Sequence, residues 1–156
     1  MNAMSRVVGF ANCVIARLAW PQSLFLLFAR VFVGLAFFRS GLTKLQDWDT
    51  TLFLFQEEYH VPLLPPEIAA YAGTFGETAL PLLLFVGLAT RFAAAGLSVV
   101  NVMAVLSLAE IAPAALMQHQ LWGALLAAVV LWGGGKLAAD TVVAKRAGWR
   151  DVVHSA

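Results

Sequence analysis

The stretch LFARVFVGLAFFRSGLTK, Leu27 to Lys44, decides the fold, because it has the length and apolar character of a membrane-spanning helix. One residue does not fit that description: Arg30 lies within the apolar run. A cation inside hydrocarbon costs about 2.5–3.5 kcal/mol on insertion scales. The sequence therefore predicts that Arg30 faces other protein groups and has a partner there.

The composition of the whole chain agrees with a lipid environment. Of its 156 residues, 61% are hydrophobic and only 12% are charged, and the mean hydropathy is +0.81. A soluble domain is typically about 25% charged. The net charge of +1 argues against a nucleic-acid partner, and a single cysteine without a Cys/His cluster indicates no metal site.

Four apolar stretches are long enough to cross a bilayer, which needs about 20 residues per helix. They cover residues 22–41, 68–88, 92–109 and 116–134. We therefore predict an all-α, four-helix transmembrane bundle over residues 22–140. A cytoplasmic or interfacial segment, 1–21, precedes the bundle, and a cytoplasmic tail, 141–156, follows it. The acidic loop between the first two spans contains Asp49, Thr50 and Thr51, which predict the start of a short interfacial helix.

The distribution of charge predicts the orientation of the bundle. Cationic residues near the span ends are concentrated on the cytoplasmic side of inner-membrane proteins. Most of the cations fall on one predicted side, which places both termini in the cytoplasm; they are Arg6, Arg17, Arg91, Lys136, Lys145, Arg146 and Arg150.

Three polar side chains on three predicted spans fall at similar depths. At 1.5 Å per residue, Arg30, Glu77 and Asn101 lie about 12, 15 and 14 Å from the cytoplasmic ends of their helices. Since an isolated intramembrane charge is costly, we predict that Arg30 pairs with Glu77 and that Asn101 adds hydrogen bonds. Pro81 frees the backbone carbonyl of Glu77 and predicts a helix kink beside this midplane site.

A second polar layer is predicted near the outer surface, at the mouth of a cavity that leads to the midplane site. Its members are Lys44, Glu67, Glu110 and His119. Two interpretations of the midplane residues stay open from the sequence. They form either a structural lock that holds the helices in register or a site for a ligand or a proton.

Several local patterns together resemble the DoxX family of small bacterial membrane proteins. RVFVGLAFFRSGLTKL resembles the first helix of the family, EYHVPLLPPEIAAY its first loop, and GETALPLLLFVGLATRFAA its second helix and hairpin. HQLWGALLAAVVLWGGGKLAAD resembles the last helix and the closing element. In that element Gly134 replaces the usual proline and Ala138 the usual serine.

The resemblance implies a four-helix bundle in the bacterial inner membrane and an association with a redox system, with a quinone as the candidate cofactor. It implies at most a subunit of an oxidoreductase, because no self-contained catalytic motif is present. In this hypothesis Arg30 or Asn101 donates to a quinone oxygen and Glu77 exchanges the proton. The aromatic walls would be Phe37, Phe38 and Phe85.

The alternative hypothesis is a non-enzymatic bundle that handles a small solute or lipid, or anchors a soluble or membrane redox partner. In that case the outer loop and the cationic C-terminal KRAGWR would be the working surfaces. Arg39, nine residues from Arg30 and on the opposite helix face, also allows a homodimer.

Overall fold

The structure is a computed structural model that describes residues 3–147, with side chains described from Arg17 onward. All the regular secondary structure in this part of the chain is helical, as predicted, and it contains no strand. Its helices are α1 (Ala3–Gln46), α2 (Trp48–Glu57), α3 (Pro66–Val86), α4 (Thr90–Leu106), α5 (Pro113–Trp132) and α6 (Ala139–Arg146). The predicted tail lies outside the described residues from position 148 onward.

Helix α1 is much longer than the first predicted span. It contains 44 residues without a break, which corresponds to about 66 Å, or twice the thickness of the hydrocarbon core. Pro21, next to the predicted start at residue 22, lies inside the helix. The apolar window of a sequence marks where a helix contacts lipid, and the helical conformation here continues beyond that window.

Within the described residues, three helices are long and apolar enough to cross a membrane, and they cover Arg17–Gln46, Pro66–Val86 and Pro113–Trp132. Helix α4 is also apolar, but at 17 residues it is shorter than these three. Large apolar side chains cover the outside of the spans; Phe75, Phe28 and Leu131 are 69%, 57% and 65% exposed. Such a surface is compatible with lipid and identifies a multi-pass membrane protein.

Helix α2 is the predicted short helix, but its N-cap is Asp47, two residues before the predicted Asp49. The Asp47 carboxylate accepts hydrogen bonds from the backbone N–H and the hydroxyl of Thr50 at 3.0 and 2.7 Å. Asp47 therefore satisfies an amide that the first turn of a helix leaves without a partner.

Glycines set the register between α1 and α3. A Cβ atom added to Gly34 would lie 2.6 Å from Phe85, and one added to Gly41 would lie 3.1 Å from the backbone carbon of Glu77. The two helices are thus antiparallel and packed closely at both points. The apolar core around this contact contains Leu26, Ala29, Val33, Phe37, Leu84, Ala93, Ala94, Leu97, Leu125, Leu126 and Val129.

Candidate functional site

A cavity of about 410 Å³ lies between α1, α3, α4 and α5, and α2 with its following loop lies over it. Its walls are mostly apolar. The polar side chains that line it are Ser40, Lys44, Tyr59, Glu77, Ser107 and His119. Ligand pockets typically combine apolar walls with a few placed polar groups, so we treat this central cavity as the candidate site.

An ion pair lies in the wall of the central cavity. The Lys44 ammonium is 2.5 Å from Oε2 of Glu77 and donates a second hydrogen bond of 3.0 Å to the Ser40 hydroxyl. Glu77 is 6% exposed as a residue. The predicted pair of Arg30 with Glu77 is therefore wrong: Glu77 is paired with Lys44, which the sequence placed in the outer layer.

A second polar pair joins α4 to α5. Asn101 donates from Nδ2 to the backbone carbonyl of His119 at 3.0 Å, and Oδ1 of Asn101 lies 2.8 Å from Nδ1 of His119. The His119 ring also packs edge-on against Trp122, with ring centroids 4.9 Å apart. Asn101 thus holds His119, and His119 and Trp122 both line the central cavity.

Arg30 is fully buried at the other end of the bundle and does not line the central cavity. Its guanidinium donates to the backbone carbonyl of Leu137 at 3.2 Å. A Cβ atom on Gly87 would overlap Nη1 of Arg30, so Arg30 is level with the turn between α3 and α4. The prediction that Arg30 lies level with Glu77 is wrong. That level was counted from residue 22, whereas the contact of Gly41 with Glu77 sets the register of α1 against α3.

Asp140 also lies at the α3–α4 turn and was not among the predicted site residues. Its two carboxylate oxygens accept hydrogen bonds from the backbone N–H groups of Ala89 and Thr90 at 2.7 and 2.8 Å. Its own N–H donates to the carbonyl of Gly87 at 2.9 Å. Asp140 therefore caps α4 from a distant segment of the chain and fixes the α3–α4 turn. The Gly-rich closing element of the sequence ends at Asp140, and this was the signal that could have marked Asp140 as a site residue.

The predicted outer layer is not one cluster. Lys44 and His119 line the central cavity, but Glu67 and Glu110 do not. Glu67 is exposed and accepts a hydrogen bond of 3.2 Å from Gln56, and Glu110 is exposed at the loop before α5. Exposed carboxylates are solvated by water, whereas Lys44 and His119 are only partly exposed and are paired with Glu77 and Asn101.

The cover over the central cavity is a feature that the sequence did not predict. Phe55, Tyr59 and Val61 line the cavity from α2 and the loop after it. A hydrogen bond of 2.8 Å from the N–H of His60 to the carbonyl of Ser107 connects this loop to the end of α4. Burial raises the pKa of Tyr59, and the negative charges of Glu58 and Glu77 raise it further.

The predicted aromatic walls are found in part. Phe37 lines the central cavity and packs against Trp122 with ring centroids 5.4 Å apart. Phe38 and Phe85 form an edge-to-face pair that does not line the cavity.

Pro81 is buried in α3, which continues through it, and the kink stays a prediction. In the described part of the chain, no three His, Cys, Asp or Glu residues are grouped to bind a metal ion.

These features define a helical multi-pass membrane protein with a polar-lined internal cavity. The DoxX family model matches residues 25–110, which is more than half of the chain. The chain belongs to the DoxX family, as its local patterns predicted. No curated protein and no solved structure gave a significant match.

Proposed function

We propose that the central cavity binds the ring of a quinone and that the protein is the quinone-side membrane subunit of an oxidoreductase system. The observation that carries this proposal is the cavity itself, where the Lys44–Glu77 ion pair and His119, which is held by Asn101, line the same space as aromatic and aliphatic side chains. A volume of about 410 Å³ falls within the range of small-molecule sites. A quinone ring needs both flat apolar walls and polar groups at its oxygens.

The residues of this chain would bind the ring and move protons. Reduction of a quinone to a quinol takes up two electrons and two protons, and oxidation releases them. The electrons would be exchanged with a partner oxidoreductase, because the described residues include no thiol pair and no grouped metal ligands. Among the polar groups of the lining, we assign proton exchange with a ring oxygen to Glu77 and His119.

The proposed placement in the membrane is a four-helix bundle in the bacterial inner membrane. Helix α4 would be the fourth crossing, since it packs between α3 and α5 and exposes Val102 and Leu106. Both termini would be cytoplasmic, with the central cavity in the half of the bundle away from the cytoplasm. The described cations Arg91, Lys136, Lys145 and Arg146 support this orientation because they lie near the α3–α4 turn or after α5.

Binding of a short-tailed ubiquinone to the purified protein in detergent tests the proposal, with tryptophan fluorescence as the signal. Trp122 lines the central cavity, so a bound quinone should quench it and Trp122→Phe should remove that part of the signal. The blocking variant is Gly73→Leu, because Gly73 lines the cavity and a Cβ there meets only Phe55, at 3.6 Å.

The matched control is Phe75→Leu, at a position two residues away that is 69% exposed on the outside of α3. We expect saturable quenching in the wild type and the control, and affinity lower by at least about tenfold in Gly73→Leu, which corresponds to about 1.4 kcal/mol. Equal quenching in all three proteins would show that the quinone partitions into the micelle and would refute the proposal.

A specific observation also favours the alternative of a membrane anchor. Helix α1 extends on its N-terminal side well past the level of Arg30 and the α3–α4 turn. This extension offers a surface for a soluble or membrane redox partner, or for a second copy of the chain. Loss of partner co-purification after deletion of residues 3–16, with the quinone affinity unchanged, would support the anchoring role beside the binding role.

A further inference from the structure

The hydrogen bonds of Asn101 determine which ring nitrogen of His119 carries the proton. A backbone carbonyl can only accept a hydrogen bond, so the Asn101 atom 3.0 Å from the His119 carbonyl must be the NH₂ group. The remaining amide atom of Asn101 is the oxygen, which can only accept, and it lies 2.8 Å from Nδ1 of His119. Nδ1 therefore carries the hydrogen.

The other ring nitrogen is then an acceptor. When Nδ1 of a neutral imidazole is protonated, Nε2 has a free lone pair and no hydrogen. His119 lines the central cavity, so the ring presents an acceptor to a ligand there. A quinone carbonyl has only lone pairs and cannot donate to Nε2, whereas the hydroxyl of the reduced quinol can.

We propose that the central cavity recognises the reduced, hydroxyl-bearing form of its ligand through a hydrogen bond from a ring hydroxyl to Nε2 of His119, with Asn101 as the positioning residue. This inference rests on the proposed function and specifies which redox form of the quinone the site prefers.

Lys44 supplies a donor in the same cavity. Its ammonium has three hydrogens, and two of them are used by Glu77 and Ser40. The third can donate to a ring oxygen, and an oxygen of either redox form accepts it. Lys44 thus stabilises both forms of the ring, and His119 is the residue that discriminates between them.

The tautomer of His119 can be measured without any ligand, by ¹⁵N NMR of histidine-labelled protein in micelles at alkaline pH. The His119→Phe variant assigns the His119 signals among the three histidines of the chain. We expect the wild type to show protonated Nδ1, and Asn101→Leu to show hydrogen transferred to Nε2 in part or completely. Asn101→Asp keeps an acceptor facing Nδ1 and should retain the wild-type tautomer, which shows that the effect is not a general loss of structure.

Binding of ubiquinol-1 and ubiquinone-1 to the same proteins completes the test. We expect the wild type and Asn101→Asp to bind the quinol about tenfold more tightly than the quinone, consistent with one hydrogen bond. Asn101→Leu and His119→Phe should bind the two forms equally. Protonated Nε2 in the wild type, or equal wild-type affinities for the two forms, would overturn the inference and leave the proposed function standing. Binding of neither form would refute the proposed function, and with it the recognition of the quinol.

Discussion

The Lys44 ammonium and the Glu77 carboxylate lie 2.5 Å apart and join the C-terminal end of α1 to the middle of α3. The side chains are 20% and 8% exposed, so both charges are largely removed from solvent. Loss of one partner from a buried pair is strongly destabilising, because the remaining charge has no compensation. Replacement of both partners by apolar residues avoids that cost.

We therefore expect Glu77→Leu to lower the free energy of unfolding by about 3 kcal/mol, measured by thermal denaturation in detergent. The double variant Lys44→Met/Glu77→Leu should recover most of that loss. Glu57→Gln, at an exposed carboxylate of α2, is the control and should be neutral. Additive losses in the double variant would show that the two charges do not depend on each other.

The two glycines Gly87 and Gly73 predict opposite responses to alanine. Gly87 has a φ of 74°, and a Cβ there would overlap Arg30 and lie 2.8 Å from the Ala138 backbone. Gly73 is inside α3, and its added Cβ makes only an ordinary contact. We expect Gly87→Ala to destabilise the protein by about 2 kcal/mol. Gly73→Ala should be neutral or stabilising by up to about 1 kcal/mol. Equal effects in thermal denaturation would contradict the described packing of Arg30.

Asp140 predicts a local effect at the α3–α4 turn. In Asp140→Asn the amide nitrogen faces one of the two N–H groups that the carboxylate now satisfies. We expect a loss of about 1–3 kcal/mol and faster hydrogen exchange at Ala89 and Thr90. Asp49→Asn, an exposed residue in the first turn of α2, is the matched control. Unchanged exchange at the turn would show that Asp140 does not fix it.

Asp47 predicts a pH dependence of helix α2, which covers the central cavity. Hydrogen bonds from the side chain and then the backbone of Thr50 lower the pKa of Asp47 below its ordinary value of 3.8. A lowered folded-state pKa stabilises the folded state above pH 3.8, and that stabilisation disappears as the pH falls through the lowered value. Carboxyl-carbon NMR should follow this titration, and Asp47→Ala should increase exchange of the Thr50 amide at neutral pH. A titration at or above the ordinary value would contradict the capping geometry.

The helical class, the apolar spans and the family could be predicted from the sequence, because lipid exposure gives each span a long apolar run. The bounds of α3 and α5 also lie close to the predicted ones. The partners of the buried charges could not be predicted in the same way. Their depths were counted from the predicted start of each span, and α1 has no helix end near residue 22.

The error in the Arg30 pairing has a specific cause. Gly41, and not Arg30, opposes Glu77. This contact places Lys44 next to the Glu77 carboxylate and Arg30 next to the α3–α4 turn. Arg30, Gly34, Phe37, Gly41 and Lys44 follow a 4-3-4-3 spacing and therefore share one face of α1. A shared face does not determine how far two packed helices are shifted along each other. The predicted hydrogen bonds of Asn101 to the Arg30–Glu77 pair are also wrong. Asn101 is buried, but its partner is His119, which was assigned to a different layer.

Photolabelling with a short-tailed azidoquinone, followed by mass spectrometry of the labelled peptides, tests the central claim most directly. If the cavity binds a quinone ring, the label should be found in its lining, on the loop at Tyr59 and Val61 and at Met103 or Trp122. Excess unlabelled quinone should compete, and Gly73→Leu should abolish the label. Label confined to the lipid-facing side chains of α1 between Leu24 and Leu35, without competition, would contradict the claim.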